Sequence, residues 1–274
     1  MSEYPDGRHS FDSDASANYL AGEKLMTVTS ARLAVTVMAK APIAGEAKTR
    51  LGREIGYPAA AALYRGLLRD TLAVIADLLP SSSASHRSVV CPDQRHLGLL
   101  TSMIPPNWTA TAQRRIGLMG GIVDAFDEAF QDGADITVVT DADSPYALLE
   151  HLVPCADLAG RHDVILGPTT DGGYYLIAAR RDAWSRLPEL LLGTTFQSDT
   201  ICRATVERAV VLDLSAELGA VSYDIDTASD LARFTLDLSL TPAHQLRFSR
   251  NACATFGSEK VVGFNRPTVS PTEH

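Results

Sequence analysis

Apolar positions along the chain fall into two recurring patterns. Continuous runs such as Leu33–Ala39, Val89–Cys91, Ile136–Thr140, Val164–Leu166 and Tyr174–Ala179 have the length of buried strands. Between them lie stretches of helical period. From Pro58 to about Leu79, the residues Leu63, Leu67, Leu68, Leu72, Ile75 and Leu79 form one stripe, while Arg65, Arg69 and Asp77 lie off it. Further helices are predicted over Gly117–Gln131, where Gly120 and Gly121 weaken the propensity, from Pro145 to about Leu158, and from about Ser198 to Arg208. A strand at Val210–Leu212, a turn at Tyr223–Thr227 and a last helix to about Asp237 complete the pattern. Strands alternating with amphipathic helices predict an α/β fold.

The pattern fails at both ends. Residues 1–31 are rich in Ser, Asp, Gly and Ala without periodicity and read as a flexible tail, within which Met26 is an alternative start. Residues 32–239 read as one domain. Residues 240–274 hold no lasting period and read as an irregular extension, so that both ends are candidates for removal.

Composition narrows the function classes. With 274 residues and 46% apolar content, the chain can bury a substantial core. A net charge of −9 and a pI near 5.2 argue against nucleic acid or an anionic membrane as the main partner. No window approaches the roughly 18 to 20 consecutive apolar residues of a membrane span, and the polar, acidic N-terminus lacks the apolar centre of a signal peptide. Cys91, Cys155, Cys202 and Cys253 form no CxxC pair, so neither a zinc ribbon nor a disulfide scaffold is indicated. A reducing cytoplasm is the expected location.

In open α/β sheets ligands bind beyond the carboxyl ends of the strands, which directs attention to four loops. After the first strand, KAPIAGEAKTRL sets Lys40, Lys48, Arg50 and Arg53 around a bend containing Pro42 and Gly45. Clustered cations and backbone N–H groups suit a di- or triphosphate, although a solvated basic loop accounts for the composition equally well. The spacing fits neither GxxxxGK[ST] nor GxGxxG. TDADSP ends an apolar strand with Asp141 and Asp143, a pair suited to a hard divalent cation. A helix N-cap at Asp143 or Ser144, with Pro145 at the first helical position, explains one of these carboxylates but not both. GPTTDGGYY is either a hairpin turn or a site where Gly172 and Gly173 admit a substrate beside Asp171 and Tyr174. In YDIDTASDL, Thr227 and Asp230 read as a capping box, which leaves Asp224 and Asp226 for a metal. The histidines form no HExxH and partner no Ser or Cys, which disfavours zinc hydrolysis and triad catalysis.

The segments KAPIAGEAKTRL, AAALYRGLLRDTL, TDADSP, LGPTTDGGYYLI and YDIDTASDL together resemble, in order and spacing, a bacterial family of uncharacterised GT-A-like transferases. Its members are labelled radical-SAM/selenodomain-associated transferases or DUF-type glycosyltransferases. The match runs from about Leu33 to Asp237. The resemblance implies a Rossmann-like, three-layer α/β/α sandwich with a mostly parallel mixed sheet, in the superfamily of nucleotide-diphospho-sugar transferases. It implies that Lys40, Gly45, Lys48, Thr49 and Arg50 hold nucleotide phosphates, with Pro42 in the same loop, and that Asp143 and Asp226, with Asp224 beside the latter, hold Mg²⁺ or Mn²⁺, to which the strand-end pair adds Asp141. It further implies that Asp171, Gly172, Gly173 and Tyr174 line the sugar or acceptor pocket. Two stretches depart from the family: Gln113–Gly121 replaces a Gln-Gly and a Leu-Gly-Glu-Arg-like segment, and Gly193–Phe196 replaces a Trp-Ser-Thr-like one.

The expected activity is glycosyl transfer from a nucleotide sugar to a small-molecule acceptor, with Lys48, Arg50 and Asp171 as the catalytic residues. Nucleotidyl transfer with pyrophosphate release is the alternative, and a non-catalytic nucleotide-binding homologue is a third class. Neither a nucleic-acid partner nor a membrane span is expected.

Overall fold

The computed structural model of the chain describes residues 31–78, 86–144, 159–194, 199–240 and 251–252. In chain order the elements are β1 (Leu33–Met38), α1 (Thr49–Ile55), α2 (Tyr57–Leu78), β2 (Arg87–Cys91), α3 (Gln94–Thr101), β3 (Thr109–Ala112), α4 (Gly117–Gln131) and β4 (Ile136–Thr140). There follow β5 (Val164–Pro168), β6 (Tyr174–Arg180), a 3₁₀ turn (Arg181–Arg186), α5 (Leu187–Leu192), α6 (Ile201–Val211), β7 (Ala216–Leu218) and α7 (Ala228–Leu240). The helix predicted from Pro145 lies outside the described residues.

The strands form one sheet in the order β3-β2-β1-β4-β6-β5-β7. β1 pairs in parallel with β2 and β4, β2 with β3, and β5 with β7, while β6 runs antiparallel to both of its neighbours. This is the mostly parallel, mixed α/β sheet that the resemblance implies. Alternate residues of the central strands are buried on both faces: Ala34, Val90, Val139, Leu166 and Ile177 pack with Ile122, Phe126 and Phe130 of α4, and Val35, Val37, Val89, Val138 and Ile165 are equally covered. Helices on two faces explain why the strands are continuously apolar rather than alternating.

One predicted strand is corrected. Val210 and Val211 end α6 and are each 72% exposed, and the chain reverses at Asp213 (φ 53°) before the true edge strand at Ala216–Leu218. Two β-branched residues resemble a strand locally, but a helix already committed by the burial of Ile201, Cys202, Thr205 and Ala209 carries them along. The elements α1, α3, β3, α5 and β7 were not anticipated; each is short, and β3 (TATA) has no apolar run.

Because β6 alone is reversed, the ends of β1, β4, β5 and β7 and the start of β6 share one edge of the sheet. All four loops singled out in the sequence open there.

Part of the C-terminal extension is anchored to the domain. The buried Asp70 carboxylate on α2 accepts from the backbone N–H of Asn251 (3.0 Å) and Ala252 (2.9 Å) and from Asn251 Nδ2 (2.8 Å). Ala252 is buried among Leu63, Leu67 and Phe234, and a Cβ on Gly66 would come within 2.8 Å of its backbone. Asp70→Ala leaves the buried Ala252 N–H without its carboxylate acceptor. It is expected to lower stability by about 2 kcal/mol, read as a reduced midpoint in urea unfolding; an unchanged midpoint would show the anchor to be dispensable.

Candidate active site

The loop after β1 is shaped by its own backbone. Ile43 N–H donates to the Ala41 carbonyl, and the N–H groups of Glu46 and Ala47 donate to Ile43 O, so three amides of the expected phosphate loop are satisfied internally. Gly45 adopts φ 85° with open space around its Cα, which makes its requirement conformational rather than steric. Pro42 is buried, and Lys40, Thr49 and Arg50 are exposed. Two side chains brace the loop. The Tyr64 hydroxyl of α2 accepts from Lys40 N–H (3.0 Å), and His96 Nε2 of α3 meets Glu46 Oε2 at 2.8 Å.

Lys48 turns inward. It takes the left-handed conformation (φ 49°, ψ 48°) just before α1, uncommon for a residue with a side chain. Its ammonium contacts Asp143 and lies 2.9 Å from Asp226 Oδ1, with its side chain only 4% exposed. Arg50 pairs with the other oxygen of Asp226. Burial would lower the pKa of Lys48, but the attraction of Asp143 and then Asp226 overrides it and holds the ammonium above the usual lysine range. Burial would likewise raise Asp226, yet Lys48 and Arg50 keep its carboxyl below the usual range.

The loop after β4 contributes the other carboxylates. Asp141 Oδ1 accepts from the N–H groups of Asp143 (3.3 Å) and Ser144 (3.2 Å), a turn that folds the strand end back on itself. Ile225 N–H donates to Asp143 O (3.4 Å) and so brings in the segment before α7. The capping box read from the sequence is present there: Asp230 N–H donates to Thr227 Oγ1 (3.2 Å), and Asp230 Oδ2 accepts from Thr227 N–H (2.8 Å). Asp224 is therefore left to face Asp141 and Asp143.

Oxygens of Asp141, Asp143 and Asp224 lie within 4.8 Å of one another, so these three residues can hold a metal ion. A set of carboxylate oxygens is the donor chemistry of a hard divalent cation. Asp226, also named from the sequence, falls outside the trio and serves the two cations instead. Ser144 Oγ sits 2.9 Å from Asp141 Oδ2 and 2.5 Å from Asp224 Oδ1. One hydroxyl proton serves one of these contacts at a time, and the other requires a carboxyl proton. Burial, followed by the charges of its neighbours, raises Asp141 well above the ordinary range, and burial with the charge of Asp143 pushes Asp224 up to about 6.

The hairpin between β5 and β6 borders this group. Asp141 N–H donates to Tyr175 O (3.0 Å), and Thr169 bridges to Ser222. Asp171 is exposed, and its Oδ1 accepts from Thr169 Oγ1 (2.5 Å) and Gly173 N–H (3.1 Å). Gly172 has φ 92°, and a Cβ there would meet Asp199 O at 2.0 Å, so its bareness admits a neighbouring stretch of the chain. Tyr174 packs against the core and donates its hydroxyl to Met119 Sδ. Of the departing segments, Gln113–Gly117 closes on itself: Gln113 Nε2 donates to Arg115 O and Gly117 O, and Asp124 accepts from the N–H groups of Arg114 and Arg115. Phe196 lies outside the described residues.

Sequence reasoning missed Ser144 as a partner of two carboxylates, and Tyr64 and His96 as braces of the loop. Tyr64 stands in a quoted motif, but its hydroxyl acquires a role only when α2 brings it to Lys40 in the loop after β1.

Residues 76–196 match the model of DUF2064, a family described as uncharacterised proteins conserved in bacteria. A solved protein from Desulfovibrio desulfuricans G20, described provisionally as a nucleotide-diphospho-sugar transferase, is similar over 85% of this chain and 97% of its own, at 27% identity and a TM-score of 0.72. The resemblance read from the motifs therefore stands. At 10% identity and a TM-score of 0.52, the 4-diphosphocytidyl-2C-methyl-D-erythritol synthase of Anaerococcus prevotii DSM 20548 shares the fold over 76% of this chain and 96% of its own. No curated protein matches the sequence. Among the described residues no helix is long and apolar enough to cross a membrane.

The raised pKa of Asp224 sets a pH dependence. A carboxyl that is harder to ionise when folded than when unfolded binds its proton more tightly in the native state. The contribution of Asp224 to stability therefore falls as pH rises from about 4 through about 6 and is level beyond. In metal-free buffer, Asp224→Asn is expected to gain about 1–2 kcal/mol over wild type at pH 7.5 and little at pH 4. Equal gains at both pH values, measured by denaturant unfolding, would contradict this.

Proposed function

We propose that the protein is a metal-dependent transferase that uses a nucleotide-sugar donor and passes the sugar to a small-molecule acceptor. One observation carries the reading: at a single sheet edge, Lys48 stands directly against Asp143 of a carboxylate trio suited to a divalent ion, and Arg50 pairs with the neighbouring Asp226. The likeness to the Desulfovibrio protein supports it.

In this reading Asp141, Asp143 and Asp224 hold Mg²⁺ or Mn²⁺. The ion supplies charge neutralisation for the donor diphosphate. Lys40, Pro42, Gly45 and Thr49 form the wall along the phosphates, and Lys48 and Arg50 stabilise the negative charge that grows on the departing nucleoside diphosphate. Asp226 orients those two cations. Asp171, whose Oδ2 accepts no hydrogen bond from the described residues, receives the acceptor hydroxyl proton as its oxygen bonds to the anomeric carbon. Gly172, Gly173 and Tyr174 shape the turn that presents it.

The closeness of Lys48 to Arg50 also suits a triphosphate, which favours nucleotidyl transfer as a second reading. There, an acceptor phosphate attacks the α-phosphorus and pyrophosphate departs. Product analysis separates the two: nucleoside diphosphate with a glycoside supports the first, and pyrophosphate the second.

Asp143→Ala tests the site common to both. Loss of partners outside a metal's own ligands costs 10–100-fold in affinity, so removing a ligand is expected to weaken Mn²⁺-dependent nucleotide binding by about 100-fold. Undiminished binding in calorimetric titration would remove Asp143 from the site.

A further inference from the structure

We propose that Lys48 is an internal counter-cation that competes with the divalent metal for Asp143, so that metal must bind before the Lys48 ammonium is released to the donor. The inference rests on the metal-nucleotide reading above and concerns its order of assembly.

Four carboxylates, Asp141, Asp143, Asp224 and Asp226, meet at this edge, and the two cations bonded to them are Lys48 and Arg50. Both cations are committed. The ammonium of Lys48 bridges Asp143 and Asp226, and the guanidinium of Arg50 is held on Asp226 although 66% of that side chain is exposed. A phosphate approaching them meets Asp143 and Asp226 at the same time, and repulsion between like charges in a partly buried setting opposes it.

Asp143 is the pivot because it belongs both to the carboxylate trio and to the Lys48 pair. A divalent ion drawing on Asp143 withdraws that oxygen from the ammonium. It also neutralises the charge that repels phosphate. The ammonium then keeps its bond to Asp226 and has donor capacity to spare. The backbone supports such a change of partner: Lys48 is the residue before α1, in an uncommon conformation, following a loop that bends at Gly45.

Competition lowers apparent affinity by the fraction of molecules whose site is free. Removing the competitor must therefore strengthen metal binding. This expectation separates the proposal from a purely structural role for Lys48, whose loss weakens metal binding.

The test uses full-length protein stripped with EDTA and titrated with Mn²⁺ alone, free ion being followed by electron paramagnetic resonance. Lys48→Met is expected to bind Mn²⁺ about tenfold more tightly than wild type. Equal or weaker binding by a variant that still unfolds cooperatively overturns the proposal. A second arm does not depend on the folding of that variant. In EDTA, with inorganic pyrophosphate as probe, Asp143→Asn removes the charge that holds the Lys48 ammonium while Asp226 still orients it, and it is expected to bind pyrophosphate about tenfold more tightly than wild type. Equal binding there overturns the proposal as well. If wild type binds Mn²⁺ and Lys48→Met binds it equally, only the exchange falls. If neither binds Mn²⁺ at all, the metal-dependent reading falls with it.

Discussion

A single buried ammonium joins the parts of this site. Lys48 ends the loop after β1, Asp143 lies in the loop after β4, and Asp226 precedes α7, so its two contacts draw together three segments otherwise spread along the chain. Excess negative charge at a strand edge is tolerable only when something positive lies within reach. The surrounding geometry follows from that demand: the left-handed turn at Lys48 aims the side chain inward, the Asp141 turn presents Asp143, and the Thr227–Asp230 capping box fixes the approach of Asp224 and Asp226. Ser144, sharing one hydroxyl between two carboxylates, handles the remaining charge through a shared proton.

The fold was legible in the sequence wherever burial was continuous. Gly117–Gln131 and Ile136–Thr140 have the limits their patterns indicate, because one buries a full helical face and the other both faces of a strand. Short or half-exposed elements were not legible. β3 is four residues of Thr and Ala at the sheet margin, held by pairing with β2 rather than by any apolar run of its own. Val210 and Val211 misled because residue preference is local, whereas the helix they extend is fixed by contacts made earlier in its length.

In the site, residue type and position after strands were sufficient to single out the carboxylates and the basic loop. Their division of labour was not visible. That Asp226 holds cations while Asp224 joins Asp141 and Asp143 depends on the register of a segment before α7 against the end of β4, a tertiary fact. Gly172 shows the same limit from the other side. A glycine beside an aspartate suggests room for a ligand, and here the room is taken by the carbonyl of Asp199.

The closures described above span nearly the whole length of the domain. Lys48 finds Asp226 across 178 positions, and Asp70 finds Asn251 across 181. During synthesis from the N-terminus, the first two helices emerge with a lysine and an aspartate whose partners do not yet exist. The contacts that fix Lys48 and Asp70 therefore form only after residues 226 and 251 have been made.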